Sequence, residues 1–203
     1  MRRGTLVDVT DAVKRGRPGY DRRGLLDAAV AVFNESGYDA TSVAALATRL
    51  GLSKAALYHH FASKEEILET ALGEALDGLE GVLRDAVAAA ARDRLAEVLQ
   101  GAVRVLVDEL PAVTLLLRVR GNSEVERRAL DRRRAFDQDV AAIVQAAQSE
   151  GAVRDDVDAA VATRLLFGMV NSLVEWYRPT GPEGAEALAR EVLTVALDGL
   201  RTR

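Results

Sequence analysis

The chain has 203 residues, with 27 Lys and Arg against 31 Asp and Glu, two His and no Cys. That length fits one large domain or a small module joined to a larger one, and an apolar fraction of 49% excludes a disordered chain. The lack of Cys excludes disulfides, thiol catalysis and Cys-ligated zinc. No uncharged stretch exceeds ten residues (Leu165 to Val174 is one), which excludes a membrane-spanning helix of roughly 20 apolar residues. With no apolar signal core in the first 30 residues, the expectation is a soluble, cytoplasmic chain with no membrane partner.

Charge is unevenly distributed. Residues 1–64 carry 10 basic and 6 acidic side chains, whereas residues 65–203 carry 17 and 25. A positive head on a negative body points to a polyanionic partner for the head, because such affinity follows the local field and not the net charge of −4.

Taken in order, residues 1–20 read as a flexible basic arm closed by Pro18-Gly19. Everything after it reads as helix. A first helix is expected from about Asp21 to Glu35, with Leu25, Leu26, Ala29, Val30 and Phe33 inward and Gly37 ending it. A short helix capped near Thr41 or Ser42 carries the stripe Val43, Leu46, Ala47 and Leu50 and stops at Gly51. Ser53 caps another short helix through about His60. Ser63 and Glu66 form a capping box that opens a long fourth helix. Further helices are expected near 94–109, 112–119, 123–149, 158–177 and 183–201, so the fold class is all-α.

The two short helices and their glycine turn make a helix-turn-helix, whose second helix enters the major groove of DNA. Lys54, at the start of that helix, can reach guanine O6 and N7, and Ala55 is small enough to touch a thymine methyl group. Tyr58, His59 and Lys64 suit phosphates, and amides near Thr41 and Ser42 can hold another. The bland alternatives are a half-buried core Tyr58, a packed His60 and a merely solvated arm; tracking of a minor groove is the functional reading of the arm.

The run from Arg22 to Leu72, a quarter of the chain, resembles the DNA-binding domain of TetR-family repressors. Gly37-Tyr38, Thr41-Ser42-Val43, Ala47, Leu50-Gly51, Ser53, Leu57 through Phe61 and Lys64-Glu65 carry the likeness. The resemblance implies an all-α homodimer on a palindromic double-stranded operator. It also implies DNA contacts at Lys54, Ala55, Tyr58, His59, Lys64 and the stretch from Thr41 to Val43. Val43 is apolar where several relatives have a hydroxyl residue, which moves that phosphate contact to Thr41 or Ser42. The implied organisation is an arm (1–20), a DNA-binding domain (21–66) and an effector-binding, dimerising domain (67–203).

In the body, Leu106, Leu110, Leu116, Phe136, Phe167, Asn171 and Trp176 are expected to line an effector pocket, with Arg118 and Arg120 at its rim; plain core is the alternative for each. Gly168 to Asn171 and Glu175 to Pro179 are similar to relatives that sense acyl-CoA esters. Arg127, Arg128, Arg132, Arg133 and Arg134 read as a solvated face pairing with Glu124, Glu126 and Asp131, with a CoA phosphate as the sharper option. Leu188, Val192, Val195 and Ala196 are expected at a subunit interface, because the last helix is apolar on two faces. Gly73, Gly78 and Gly81 in the fourth helix mean either close helix approach or compliance.

These features make a ligand-responsive repressor the leading reading. A transcriptional activator and a ligand-independent DNA-binding dimer remain as alternatives. An all-helical enzyme is remote: di-iron bundles need Glu-x-x-His pairs on core helices, and both His lie in the head. No metal, catalytic residue or cofactor is expected.

Overall fold

A computed structural model describes residues 21–181 and 184–199, all helix and connection with no strand among them. The arm at 1–20 lies outside the described residues.

Each helix of the head starts on a side-chain cap. In α1 (Arg22–Ser36) Asp21 accepts from the Gly24 amide at 2.7 Å. In α2 (Val43–Leu50) and α3 (Lys54–His60), Ser42 and Ser53 accept from Ala45 and Ala56, each at 3.1 Å. Such a cap satisfies one of the amides that the first turn leaves open. Gly51, at φ 67° and ψ 29°, adopts the left-handed conformation that the tight turn from α2 to α3 requires. The box on α4 (Lys64–Asp85) forms in altered shape: Ser63 accepts from Glu66 N–H, but the Glu66 carboxylate reaches back to the Ala62 amide.

In the body, α5 (Ala91–Asp108) begins three residues earlier than the sequence suggests. No side chain of the preceding residue caps it; Glu150, from the far end of α7, accepts from the Ala91 amide at 3.0 Å. Next come α6 (Leu110–Arg118) and α7 (Glu124–Ser149). A second capping box, unread in the sequence, opens α7: Ser123 accepts from Glu126 N–H, and the buried Glu126 carboxylate from Asn122 N–H. The helix expected at 158–177 is divided at Ser172 into α8 (Ala159–Asn171) and α9 (Leu173–Trp176). The last element, α10 (Ala185–Leu193), widens into a π-helical turn at Thr194–Asp198.

One apolar core runs through head and body. α4 is its axis. Ile67, Leu68, Ala71, Leu72, Ala75 and Leu76 are almost wholly withdrawn from water. α1 and α6 pack on it from one side, α5 and α7 from the other, and α8 and α10 close the outside against α7 and α5.

The close approach of α4 and α5 depends on two glycines. A Cβ on Gly78 would stand 3.1 Å from Val105, and one on Gly101 would stand 2.5 Å from Val82. Close approach therefore accounts for Gly78, whereas Gly73 has open space around it. Gly101→Ala should destabilise the chain by about 1–2 kcal/mol, overpacking exceeding the gain in helix propensity. Gly73→Ala should stabilise it by about 0.8–1 kcal/mol. Denaturant unfolding of both variants checks the pair, and equal signs would contradict this packing.

Candidate functional site

Leu57 and Phe61 are sunk in the core and fix α3 against the head. The opposite face of α3 presents Lys54, Ala55, Tyr58 and His59 together, at i, i+1, i+4 and i+5, all exposed. Tyr58 is 48% exposed, which sets aside the half-buried core role. Lys54, Tyr58 and His59 make no side-chain hydrogen bond among the described residues, so their polar groups remain open to an outside partner. His60 is half-buried, its ring edge-on to His59 at 5.3 Å.

Two residues expected at this surface face inward. Thr41 is only 3% exposed, and its hydroxyl donates to the Gly37 carbonyl at 2.7 Å. Lys64 donates to the carbonyls of Tyr38 and Thr41, both at 3.0 Å, with its ammonium 4.0 Å from the Tyr38 ring centroid. The reason is geometric: the turn before α2 presents the Thr41 carbonyl and the Tyr38 carbonyl, which also accepts from the Thr41 amide, and the first residue of α4 brings its ammonium to both. Lys64 therefore positions the start of α2. Ser42 is exposed, but its hydroxyl is engaged as the α2 cap. Arg22, which sequence reasoning passed over, lies 4.1 Å above the Phe61 ring and donates to the His60 carbonyl and to Glu66. It thereby ties the end of α3 to α1 and α4.

The head is also tied to the body. Arg118, on α6, donates to the Asn34 carbonyl at 2.7 Å, and the Asn34 amide donates to the Pro111 carbonyl at 2.8 Å. Asn122 donates to Asp39 at 2.7 Å.

A small cavity of about 30 Å³ lies between α4, α5, α6, α7 and α8, room for about two waters. Leu106, Leu116, Phe136, Phe167 and Asn171 line it as the sequence suggests, the two Phe rings edge-to-face at 5.2 Å. Three expected residues lie elsewhere. Leu110 sits in the first turn of α6, and Arg120 is exposed beyond that helix's end. Trp176, 50% exposed, falls on the outer face, five residues on from Asn171 and four from exposed Ser172.

In their place stand Arg133 and Asp137. The signal for them was present: Ala129, Arg133, Phe136 and Val140 follow the inward period of α7, so one arginine of the cluster had to face inward. The others pair on the surface, Arg127 with Glu124, Arg134 with Asp131, Arg128 with Glu69, and Arg132 with Asp77 and Glu80. Glu126, expected among those partners, is the buried cap of α7.

Two of the four residues expected at a subunit interface are occupied within the chain. Leu188 and Val192 are buried where α10 lies on α5. Ala196 is half-buried and Val195 is 39% exposed. The exposed apolar stripe lies on α8 and α9, with Val161, Leu165 and Trp176 flanking Gly168 and Ser172.

Comparison with known proteins agrees with this arrangement. Residues 25–71 match the model for bacterial regulatory proteins of the tetR family, and residues 88–200 match that for the tetracyclin repressor-like C-terminal domain. The chain belongs to the TetR family of transcriptional regulators. The HTH-type transcriptional repressor KstR2 of Rhodococcus jostii (strain RHA1) is 30% identical over 191 residues, 88% of this chain and 90% of that one. A solved TetR-family member from Streptomyces coelicolor A3 is 50% identical with a TM-score of 0.84, covering 88% of this chain and 91% of its own. The fold is also shared with AibR, solved in complex with isovaleryl coenzyme A and operator DNA, at 22% identity and a TM-score of 0.72 over 87% of this chain and 97% of that one.

For this TetR-family chain, Lys64→Met should lower stability by about 1–2 kcal/mol through the lost charged hydrogen bonds. The salt dependence of any DNA binding should stay unchanged, whereas a phosphate contact would lower the slope by about 1. Thermal unfolding and binding across a salt series separate the two. Burial, reinforced by Glu65, Asp39 and Glu126, pushes the Tyr38 phenol from 10.0 up to about 12. The unfolded chain therefore gives up this proton first, and stability should fall as pH rises from about 10 toward 12. Tyr38→Phe should flatten that fall in a pH series of melting curves.

Proposed function

We propose that this regulator is a dimeric repressor released from a palindromic operator by a hydrophobic effector. The single observation that carries the DNA half is the face of α3. Lys54, Ala55, Tyr58 and His59 stand exposed on a helix anchored by Leu57 and Phe61, in the positively charged third of the chain. Lys54 and Ala55 read base edges, and Tyr58 and His59 hold phosphates. Ser42 is exposed at the start of α2, whose first amides can meet the backbone. Residues 21–66 form the DNA-reading unit and 67–203 the sensing and dimerising unit, with α4 crossing the boundary.

The dimer reading rests on the α8–α9 stripe. Val161, Leu165, Gly168, Ser172 and Trp176 recur every three or four residues, and Leu165 is 66% exposed. An isolated chain gains nothing from a contiguous apolar helix face in water, and a second copy covers it with the same face. Val195 and Ala196 extend the patch from the end of α10. Joined in this way, two α3 helices must stand about 34–36 Å apart to reach successive major grooves.

The cavity is the effector site in this reading, with Leu106, Leu116, Phe136, Phe167 and Asn171 as its contacts. An acyl-CoA ester is the candidate class, supported by the segment from Gly168 to Pro179 and by the shared fold of AibR. No helix of the described residues is long and apolar enough to cross a membrane. A regulator acting on DNA in the cytoplasm accords with this.

A gel shift with the DNA flanking the protein's own gene tests the proposal. Lys54→Ala with Tyr58→Ala should abolish the shift and leave the fold intact by circular dichroism. One acyl-CoA of a panel should release the wild-type complex. Leu165→Glu should give a monomer in light scattering and weaken operator binding at least tenfold, an order-of-magnitude expectation for lost half-site coupling. A dimer unaffected by Leu165→Glu would contradict the stripe, and an unimpaired double mutant would contradict the α3 face.

A further inference from the structure

The cavity holds two opposite charges that do not satisfy each other. Arg133 and Asp137 stand one helical turn apart on α7, and both line a space otherwise walled by Leu, Val, Ala and Phe, with Asn171 of α8 across from them. No side-chain hydrogen bond or ion pair engages Arg133, Asp137 or Asn171 among the described residues. Arg127, Arg128, Arg132 and Arg134 of α7 are paired at the surface, which sets Arg133 apart from its neighbours.

A half-buried guanidinium and carboxylate with open hydrogen-bonding capacity are costly unless something meets both. We infer that the cavity receives an uncharged polar group that both accepts and donates, a carboxamide or a hydroxyl, with its oxygen toward Arg133 and its N–H or O–H toward Asp137. The apolar remainder of the ligand then lies against Phe136 and Phe167. This inference rests on the reading of the cavity as the effector site.

The charges decide the class. A free carboxylate would gain Arg133 but set its charge against Asp137 in a poorly solvated space; an ammonium would gain Asp137 and oppose Arg133. Arg164, on the exposed side of α8, also acts on Asp137 and tilts the balance toward anions, but from the solvent side, where water and salt screen it. Burial raises the Asp137 carboxyl above its usual range despite both arginines, which strengthens its role as a partner for a donor. A neutral dipole leaves neither charge unmet. A secondary amide or hydroxyl-bearing segment of a larger ligand satisfies the same requirement, provided that its own charges stay outside, whereas an ester, which only accepts, meets Arg133 alone.

With space for about two waters, the cavity must open for any such ligand, so matched small probes are the fair test. Hexanamide, hexanoate and hexylamine share a tail and differ in head-group charge. Calorimetric titration of the full chain should rank hexanamide above the other two by about tenfold. Asp137→Asn should raise hexanoate to or above hexanamide, and Arg133→Gln should do the same for hexylamine. Hexanoate or hexylamine binding the wild type as well as hexanamide would overturn the inference, as would an order unchanged by both substitutions, or no binding of any probe. Ala102→Leu, which fills the cavity, separates this inference from the reading beneath it. Amide binding that survives Ala102→Leu removes the cavity as the effector site, whereas binding that Ala102→Leu abolishes but that ignores head-group charge removes only the neutral-ligand inference. Unfolding curves for all three variants confirm that each is folded.

Discussion

The structure depends on the burial of one broad apolar face of α4. Ile67, Leu68, Ala71, Leu72, Ala75 and Leu76 recur in adjacent pairs one turn apart and withdraw that face from water, while Glu69 and Asp77 leave the opposite side exposed. Its first turns complete the core of the head, and its later turns are locked to α5 through Gly78 and Gly101. Head and body therefore share one apolar core, whose burial is worth of order 25 cal/mol per Å². Neither α3 nor the cavity has a scaffold independent of it.

The polar contacts between head and body are of a different order. Hydrogen bonds such as Arg118 to Asn34 and Asn122 to Asp39 lie at the surface and contribute roughly 0.5–1.5 kcal/mol each. The ion pairs joining α7 to α4 are exposed, and pairs of that kind contribute between nothing and about 1 kcal/mol. A strong apolar axis with weak polar ties around it can be re-set without being unfolded. That is the mechanical profile a regulator needs: α6 carries Val113 and Leu116 into the cavity wall and Arg118 onto α1. Displacement of that wall is transmitted to the head through bonds cheap enough to break and re-form.

The head was almost wholly legible from sequence because its signals are local. Ser42, Ser53 and Ser63 as caps, Gly37 and Gly51 as stops and the stripe of α2 all act within one helical turn, and each was found where the sequence put it. Lys64 escaped because its partners, the Tyr38 and Thr41 carbonyls, lie 26 and 23 residues back along the chain and only folding brings them to its ammonium. Thr41 turns inward on a bond to Gly37 that a capping position does not reveal. In the body, most helix spans and the lining residues Leu106, Leu116, Phe136, Phe167 and Asn171 followed from periodicity, yet Arg133 and Asp137 were hidden in a run of charge that reads as solvent-facing. Leu188 and Val192 illustrate the opposite error. An apolar face says that something covers it, but not whether the cover is α5 of the same chain or another copy. The division of the long helix at Ser172 left no breaker in the sequence, since Ser is compatible with helix on both sides.

α8 presents two distinct surfaces on opposite faces. Phe167, Val170 and Asn171 line the cavity, while Val161, Leu165 and Gly168 form the outer stripe, and only the width of one helix separates them. In a dimer joined through that stripe, a rod loaded on both sides cannot yield to a ligand on one face without shifting its packing on the other, because close-packed side chains transmit displacement. The two cavities then cease to be independent. Occupancy of the first alters the affinity of the second by a coupling free energy felt equally in both directions. The expected signature is a Hill coefficient different from one, and operator release that responds to effector concentration more steeply, or more gradually, than a single-site isotherm.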